Sequence, residues 1–206
     1  QERIERLSEA VTLIRQLWNS TEYFDFHGKF FSMKQVYLYT KPSDNIPIHF
    51  SAFGPKAANY AGKFGDCLTT HQVTPSRCVS TIYPQFEDGA KQVGKNYSEM
   101  EKMVLLPILV GDRAEIVKKL KKGGASTLGE GNLSEPDPRN LEKMAATVST
   151  ESIEENFVII SSVDKLIDVV CDYIEVGTDQ VVFGTDAQPQ LIKEIGEKVL
   201  PHFNNE

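Results

Sequence analysis

Cysteine, positive charge, tryptophan and long apolar runs are all scarce in this chain, and three of these shortages each remove a class of function. Cys67, Cys78 and Cys171 stand alone among 206 residues, with no C-x-x-C pair between them. They read as reduced thiols in a cytoplasmic protein, not as a disulfide frame or a metal site. No apolar run approaches the roughly 18 residues that a membrane-crossing helix needs, and the opening residues lack a secretory pattern. Lys and Arg number 22 against 29 Asp and Glu, for a net charge of -7. Phosphate backbones demand a concentrated positive field, so a nucleic-acid partner is excluded. His27, His49, His71 and His202 show no metal-ligand spacing, and no G-x-S-x-G nucleophile elbow occurs.

What the chain does have is the 40% hydrophobic content of an ordinary globular protein, which suits one domain over residues 1–206. Ile4, Leu7, Val11, Ile14 and Trp18 recur at helical spacing, so residues 1–18 are an amphipathic helix. No capping residue or initiator Met precedes it, and the expectation is a chain cut from something longer. The aromatic runs of residues 23–31 flank His27-Gly28 and predict a small hairpin or surface excursion. Four strands are expected, at 46–52, 66–71, 102–110 and 180–185. Pro107 argues for a bulge or a strand end inside the third. Helices are expected from Pro55, over 76–93, from a Ser161-Ser162 cap to Gly177, and over 188–200. Residues 112–157 are expected to be an insertion of short helices and an irregular loop within the domain. Strands alternating with helices mean right-handed crossovers and a parallel sheet. The fold class is therefore α/β, with the four strands of half a (β/α)8 TIM barrel, since the whole takes about 250 residues.

Two glycine patterns are dismissed. Gly89 to Asn96 nearly spells a phosphate-binding P-loop, but it lies late in a helix and ends in Asn where Ser or Thr is needed. Gly129-Glu130-Gly131 lacks a third glycine and a preceding strand. The segment Ser51-Ala52-Phe53-Gly54-Pro55-Lys56 is more informative, because it joins a strand end to a helix start. Free N–H groups and the helix dipole can hold an anion there, and Gly54 lets backbone approach a ligand. A plain tight turn into a helix explains it equally well.

Four blocks carry a resemblance: Arg6 to Trp18, Phe26 to Phe31, Pro47 to Pro55 and Ala61 to Asp66. Together they resemble the C-terminal half of the luciferase-like superfamily of TIM-barrel oxidoreductases. They are most similar to its branch of glucose-6-phosphate and secondary-alcohol dehydrogenases that use coenzyme F420, a deazaflavin. FMN is the alternative cofactor, in monooxygenases of the same superfamily. The resemblance implies that Ser51, Ala52, Phe53, Gly54, Pro55 and Lys56 surround the cofactor's phosphate-bearing tail. It implies that Thr70, His71 and Gln72 line the mouth of the cofactor and substrate site, His71 reading also as a polar mouth residue with no proton to move. The family's proton donors lie in the other half, so no catalytic residue is expected in this chain. Sugar-phosphate members hold phosphate with two Lys and one Arg, where this chain has Thr74, Asn132 and Asn156. A small non-phosphorylated substrate follows, because three charge-assisted partners are missing. A catalytically inactive half-barrel that only binds or pairs is the rival reading. The expected partner is a second copy of the chain or a missing N-terminal half.

Overall fold

The protein is described by a computed structural model covering residues 2–71, 73–123, 135–185 and 188–203. The chain divides into two compact units. The first holds Gln1–Thr70 and Val79–Lys102, the second His71–Cys78 and Met103–Glu206.

In the first unit, helix α1 (Glu2–Asn19) is followed by strands β1 (Phe24–His27) and β2 (Ser32–Val36), an antiparallel hairpin. Strand β3 (His49–Ser51) pairs in parallel with β4 (Cys67–His71), connected through α2 (Pro55–Phe64). The strand expected over 46–52 is shorter because its approach is clamped from outside. Asp66 accepts from Ile48 N–H at 2.9 Å through Oδ2 and from Arg15 Nη2 at 2.5 Å through Oδ1. Phe50 and Leu68 are buried side by side on one face of the pair, while His49 and Ser51 stand exposed on the other. The helix expected over 76–93 is three pieces: α3 (Pro75–Arg77), which belongs to the second unit, a π-helical turn (Cys78–Ile82), and α4 (Tyr83–Gln92) of the first. Pro84 has no N–H to give the preceding turn, a sufficient reason for the irregular winding there.

In the second unit, β5 (Lys102–Val110) pairs in parallel with two strands. Met103 to Pro107 face β7 (Gln180–Gly184), and Ile108 to Val110 face β6 (Val158–Ile160). The strand therefore runs through Pro107 without the expected break. Pro107 falls opposite Gly184, where one pairing ends and the next begins, so the ladder tolerates its missing N–H. Strand β6 was not among the four expected: its three residues lie directly after a region read as irregular. Within 112–157 the described residues are largely helical: α5 (Arg113–Gly123), α6 (Pro138–Ala146) and α7 (Thr150–Asn156). Helix α8 (Lys165–Glu175) starts after Asp164 and not at the two serines, and Gly177 leaves it with φ +82°. Helix α9 (Pro189–Lys198) closes the order. Ile108, Ile160, Leu166, Leu191 and Ile195 form this unit's core.

Candidate functional site

The first unit assembles the Ser51–Lys56 junction around the end of β3. Ala52 is fully buried and donates its N–H to Thr69 O at 2.9 Å. The chain then turns outward: Phe53 is 45% exposed, and Pro55 and Lys56 are exposed. Gly54 caps α2 with φ -145° and ψ 169°, extended backbone that any residue adopts. A Cβ added there would meet nothing within 4 Å. Neither conformation nor packing therefore requires glycine at this position. Ala58 makes the first helical hydrogen bond, to Gly54 O at 2.9 Å. The N–H groups of Lys56 and Ala57 precede it and have no acceptor within the helix, and Pro55 has no N–H at all. The result is an exposed helix start with two free donors, the dipole's positive end and one Lys ammonium.

Thr70 belongs to the same unit and is fully buried. Among the described residues its Oγ1 is the buried side-chain oxygen with no hydrogen-bond partner. Such an orphan is costly unless a ligand or water completes it.

In the second unit, His71 ends β4 half-buried. Thr74 and Asn156 line one cavity of about 310 Å³. Both side chains already have work to do. Thr74 caps α3 by accepting from Arg77 N–H at 3.4 Å, and Asn156 donates to Ser152 O at 2.8 Å. Glu154, Glu155 and Asp172 also line this cavity, and no Lys or Arg lines it among the described residues. Arg113 pairs with Glu154, its Nη2 2.8 Å from Oε2, and each holds the other charged: the Arg113 hydrogen bond lowers the Glu154 pKa, and the Glu154 hydrogen bond raises that of Arg113.

Tyr173 closes one wall. Its buried hydroxyl donates to Val73 O at 2.7 Å, and burial pushes its pKa far above the ordinary phenol value. Nothing in the sequence announced this hydroxyl partner a hundred residues away. Gln72 and Asn132, the remaining expected site residues, lie outside the described residues.

Residues 1–180 match the family model described as luciferase-like monooxygenase. The F420-dependent glucose-6-phosphate dehydrogenase of Mycolicibacterium gilvum (strain PYR-GCK) is 30% identical over 193 residues, 92% of this chain and 57% of that protein. The enzyme of the same name from Mycobacterium tuberculosis (strain CDC 1551 / Oshkosh) is 28% identical over the same shares of the two chains. Among solved structures, an F420-dependent secondary alcohol dehydrogenase in complex with an F420-acetone adduct is similar with a TM-score of 0.87. It is 30% identical, and the match covers 98% of this chain and 62% of that one. The EDTA monooxygenase of Chelativorans sp. BNC1, at 15% identity and a TM-score of 0.67, shares the fold. The chain thus spans less than two thirds of the length of these relatives. Its parallel α/β architecture is that of part of their TIM barrel.

Proposed function

Because the chain belongs to the luciferase-like monooxygenase family, we propose that it forms the part of an oxidoreductase that holds the phosphate-bearing tail of coenzyme F420. The observation that carries this reading is Gly54, a residue needed by neither backbone nor packing, at an exposed helix start beside a cation. The residues present fit such a group. The N–H groups of Lys56 and Ala57 and the Lys56 ammonium offer donors to a phosphate. Bound, the deazaflavin would supply hydride chemistry. Its role here is favoured over that of FMN because the relatives near 30% identity are named for F420, whereas a neighbour solved with modified FMN is 11% identical and speaks for the fold alone.

The substrate we infer is small and not phosphorylated. The Thr74 and Asn156 cavity is lined by three acidic residues, one of them paired with Arg113, and by no described Lys or Arg, so a phosphate dianion would find no strong donor there. Since no residue of this chain has an assigned proton-transfer role, the chain by itself is expected not to turn over an alcohol. The experiment is a pair of titrations on the purified chain. F420 is expected to bind saturably, with the affinity reduced about ten-fold by Gly54→Ala. Glucose 6-phosphate is expected to give no calorimetric signal at millimolar concentration. Saturable binding of the sugar phosphate would refute the substrate reading. Equal F420 affinity in the variant would refute the assignment of the loop.

We further propose that a second copy of the chain covers apolar surface in the second unit. Along β5, Val104, Leu106 and Ile108 are buried, but the alternate residues Met103, Leu105 and Leu109 are only partly covered. Val182, opposite Leu105, is 37% exposed.

A further inference from the structure

At the start of β3 and β4, away from the Ser51–Lys56 junction, three side chains of different chemistry converge. Parallel pairing sets His49 beside Cys67, so both side chains leave the same face of the strand pair. Leu68 donates its N–H to Glu101 O at 2.8 Å, which holds Glu101 next to the first residues of β4. One imidazole nitrogen, the Cys67 sulfur and one Glu101 carboxylate oxygen all lie within 4.8 Å of one another. Cys67 is buried, while His49 and Glu101 are exposed.

We propose that His49, Cys67 and Glu101 form a binding site for a zinc-class divalent ion. A thiolate, an imidazole and a carboxylate are the three ligand types zinc takes, at bond lengths of about 2.0–2.3 Å. Tetrahedral geometry then places ligand atoms about 3.5 Å apart. His49 and Glu101, both on the open side, reach that separation by rotating toward the fixed sulfur. The thiolate discriminates against magnesium and calcium, which prefer oxygen ligands. Thr69 supplies support behind the first ligands: its Oγ1 lies 3.2 Å from His49 Nδ1 and steadies the ring, as outer partners of metal-bound imidazoles do. Binding displaces the Cys67 thiol proton to solvent, so affinity rises with pH. Three ligands leave a fourth position for water.

The ion would tie the entries of β3 and β4 to the Glu101 segment within the first unit. Strand starts in α/β barrels serve stability and strand ends serve chemistry, so an ion here is expected to stabilise the strand entries even with its open fourth position. It is independent of the cofactor reading, and either stands if the other falls. No sequence motif reveals it, because residues 49, 67 and 101 meet only through strand register.

Cobalt(II) is the probe, added to chelator-treated, reduced protein. One equivalent is expected to produce a near-ultraviolet thiolate-to-cobalt band and visible bands of tetrahedral intensity, both removed by added Zn2+. One equivalent of Zn2+ is also expected to raise Tm. Cys171→Ser should keep the bands and Cys67→Ser should lose the ultraviolet one. His49→Asn and Glu101→Gln should each raise the cobalt Kd about ten-fold or more. These two positions are exposed, so their variants carry the test if the buried Cys67→Ser does not fold. Absence of the ultraviolet band in the unsubstituted protein, its survival in folded Cys67→Ser, or unchanged Kd in both exposed variants would overturn the proposal.

Discussion

Glu9 shows how one side chain organises a whole excursion of the backbone. Its carboxylate accepts from the N–H groups of Lys29, Phe30 and Phe31 at 2.9, 2.9 and 2.7 Å. Burial by itself would raise the Glu9 pKa. The N–H groups of Phe31, Phe30 and Lys29, helped by the Lys29 charge, outweigh it and hold the group below the ordinary 4.5. A pKa lowered by folding means stability that is fully present above the unfolded value and lost as pH falls through the folded one. Glu9→Gln should therefore lower Tm at pH 7, and the deficit should shrink as both proteins are acidified below about pH 4.5. A constant deficit down to pH 3 would show that the charge of Glu9 is not what matters. A Cβ at Gly28 would collide with the Glu9 carboxylate and crowd the Phe26 ring, so Gly28→Ala should cost more stability in the parent than in Glu9→Ala. The hairpin's first strand was legible in the aromatic run before His27-Gly28, but its second, Ser32–Val36, lies beyond the second run. Its capping carboxylate was not legible, because it sits on α1 and no local pattern links the two. The same holds for the His49, Cys67 and Glu101 cluster and for the hydroxyl of Tyr173: each is a product of long-range pairing.

Helices α2 and α4 press together where they carry glycine. A Cβ at Gly62 would strike Phe86 O, and one at Gly89 would strike Asn59 O, so backbone meets backbone at both positions. Gly89→Ala or Gly62→Ala should thus destabilise by about 1–3 kcal/mol, the range for overpacked interiors. Urea unfolding checks it, and a loss below about 0.5 kcal/mol would show that the helices shift apart freely. This explains the near P-loop of residues 89–96. Gly89 is there for helix contact, Gly94 turns the chain at φ +71°, and Lys95 donates to Gly65 O at 2.6 Å. Periodicity and punctuation made most elements legible: Pro55, Gly177 and Pro189 mark real helix ends. Two elements were misread, for physical reasons. Pro107 sits where β5 changes partners, which sequence does not disclose. Val158–Ile160 is too short to signal a strand without its pairing.

For the whole molecule, parallel α/β architecture was readable from apolar runs alternating with amphipathic helices, and the family from its residue blocks. The candidate site was readable in part. Ser51–Lys56 stands out as a strand-to-helix junction, whereas the acidic cavity around Thr74 and Asn156 is built from segments distant in sequence. The partly uncovered apolar residues of β5 and β7 predict self-association. Light scattering at micromolar concentration should give twice the mass of the chain, and a stable monomer would refute the pairing. Among the described residues no helix is long and apolar enough to cross a membrane.

The central claim, that the α2 start grips the phosphate-bearing tail of a deazaflavin, is tested most directly by fluorescence titration of the chain with intact F420 and with the same deazaflavin lacking its phosphate-bearing tail. The account predicts that the intact cofactor binds at least about ten-fold more tightly, since a charge-assisted phosphate contact is worth roughly 1.5–3 kcal/mol. It also predicts that this advantage disappears in Lys56→Glu. Equal affinities for the two ligands, or an advantage untouched by Lys56→Glu, would contradict it.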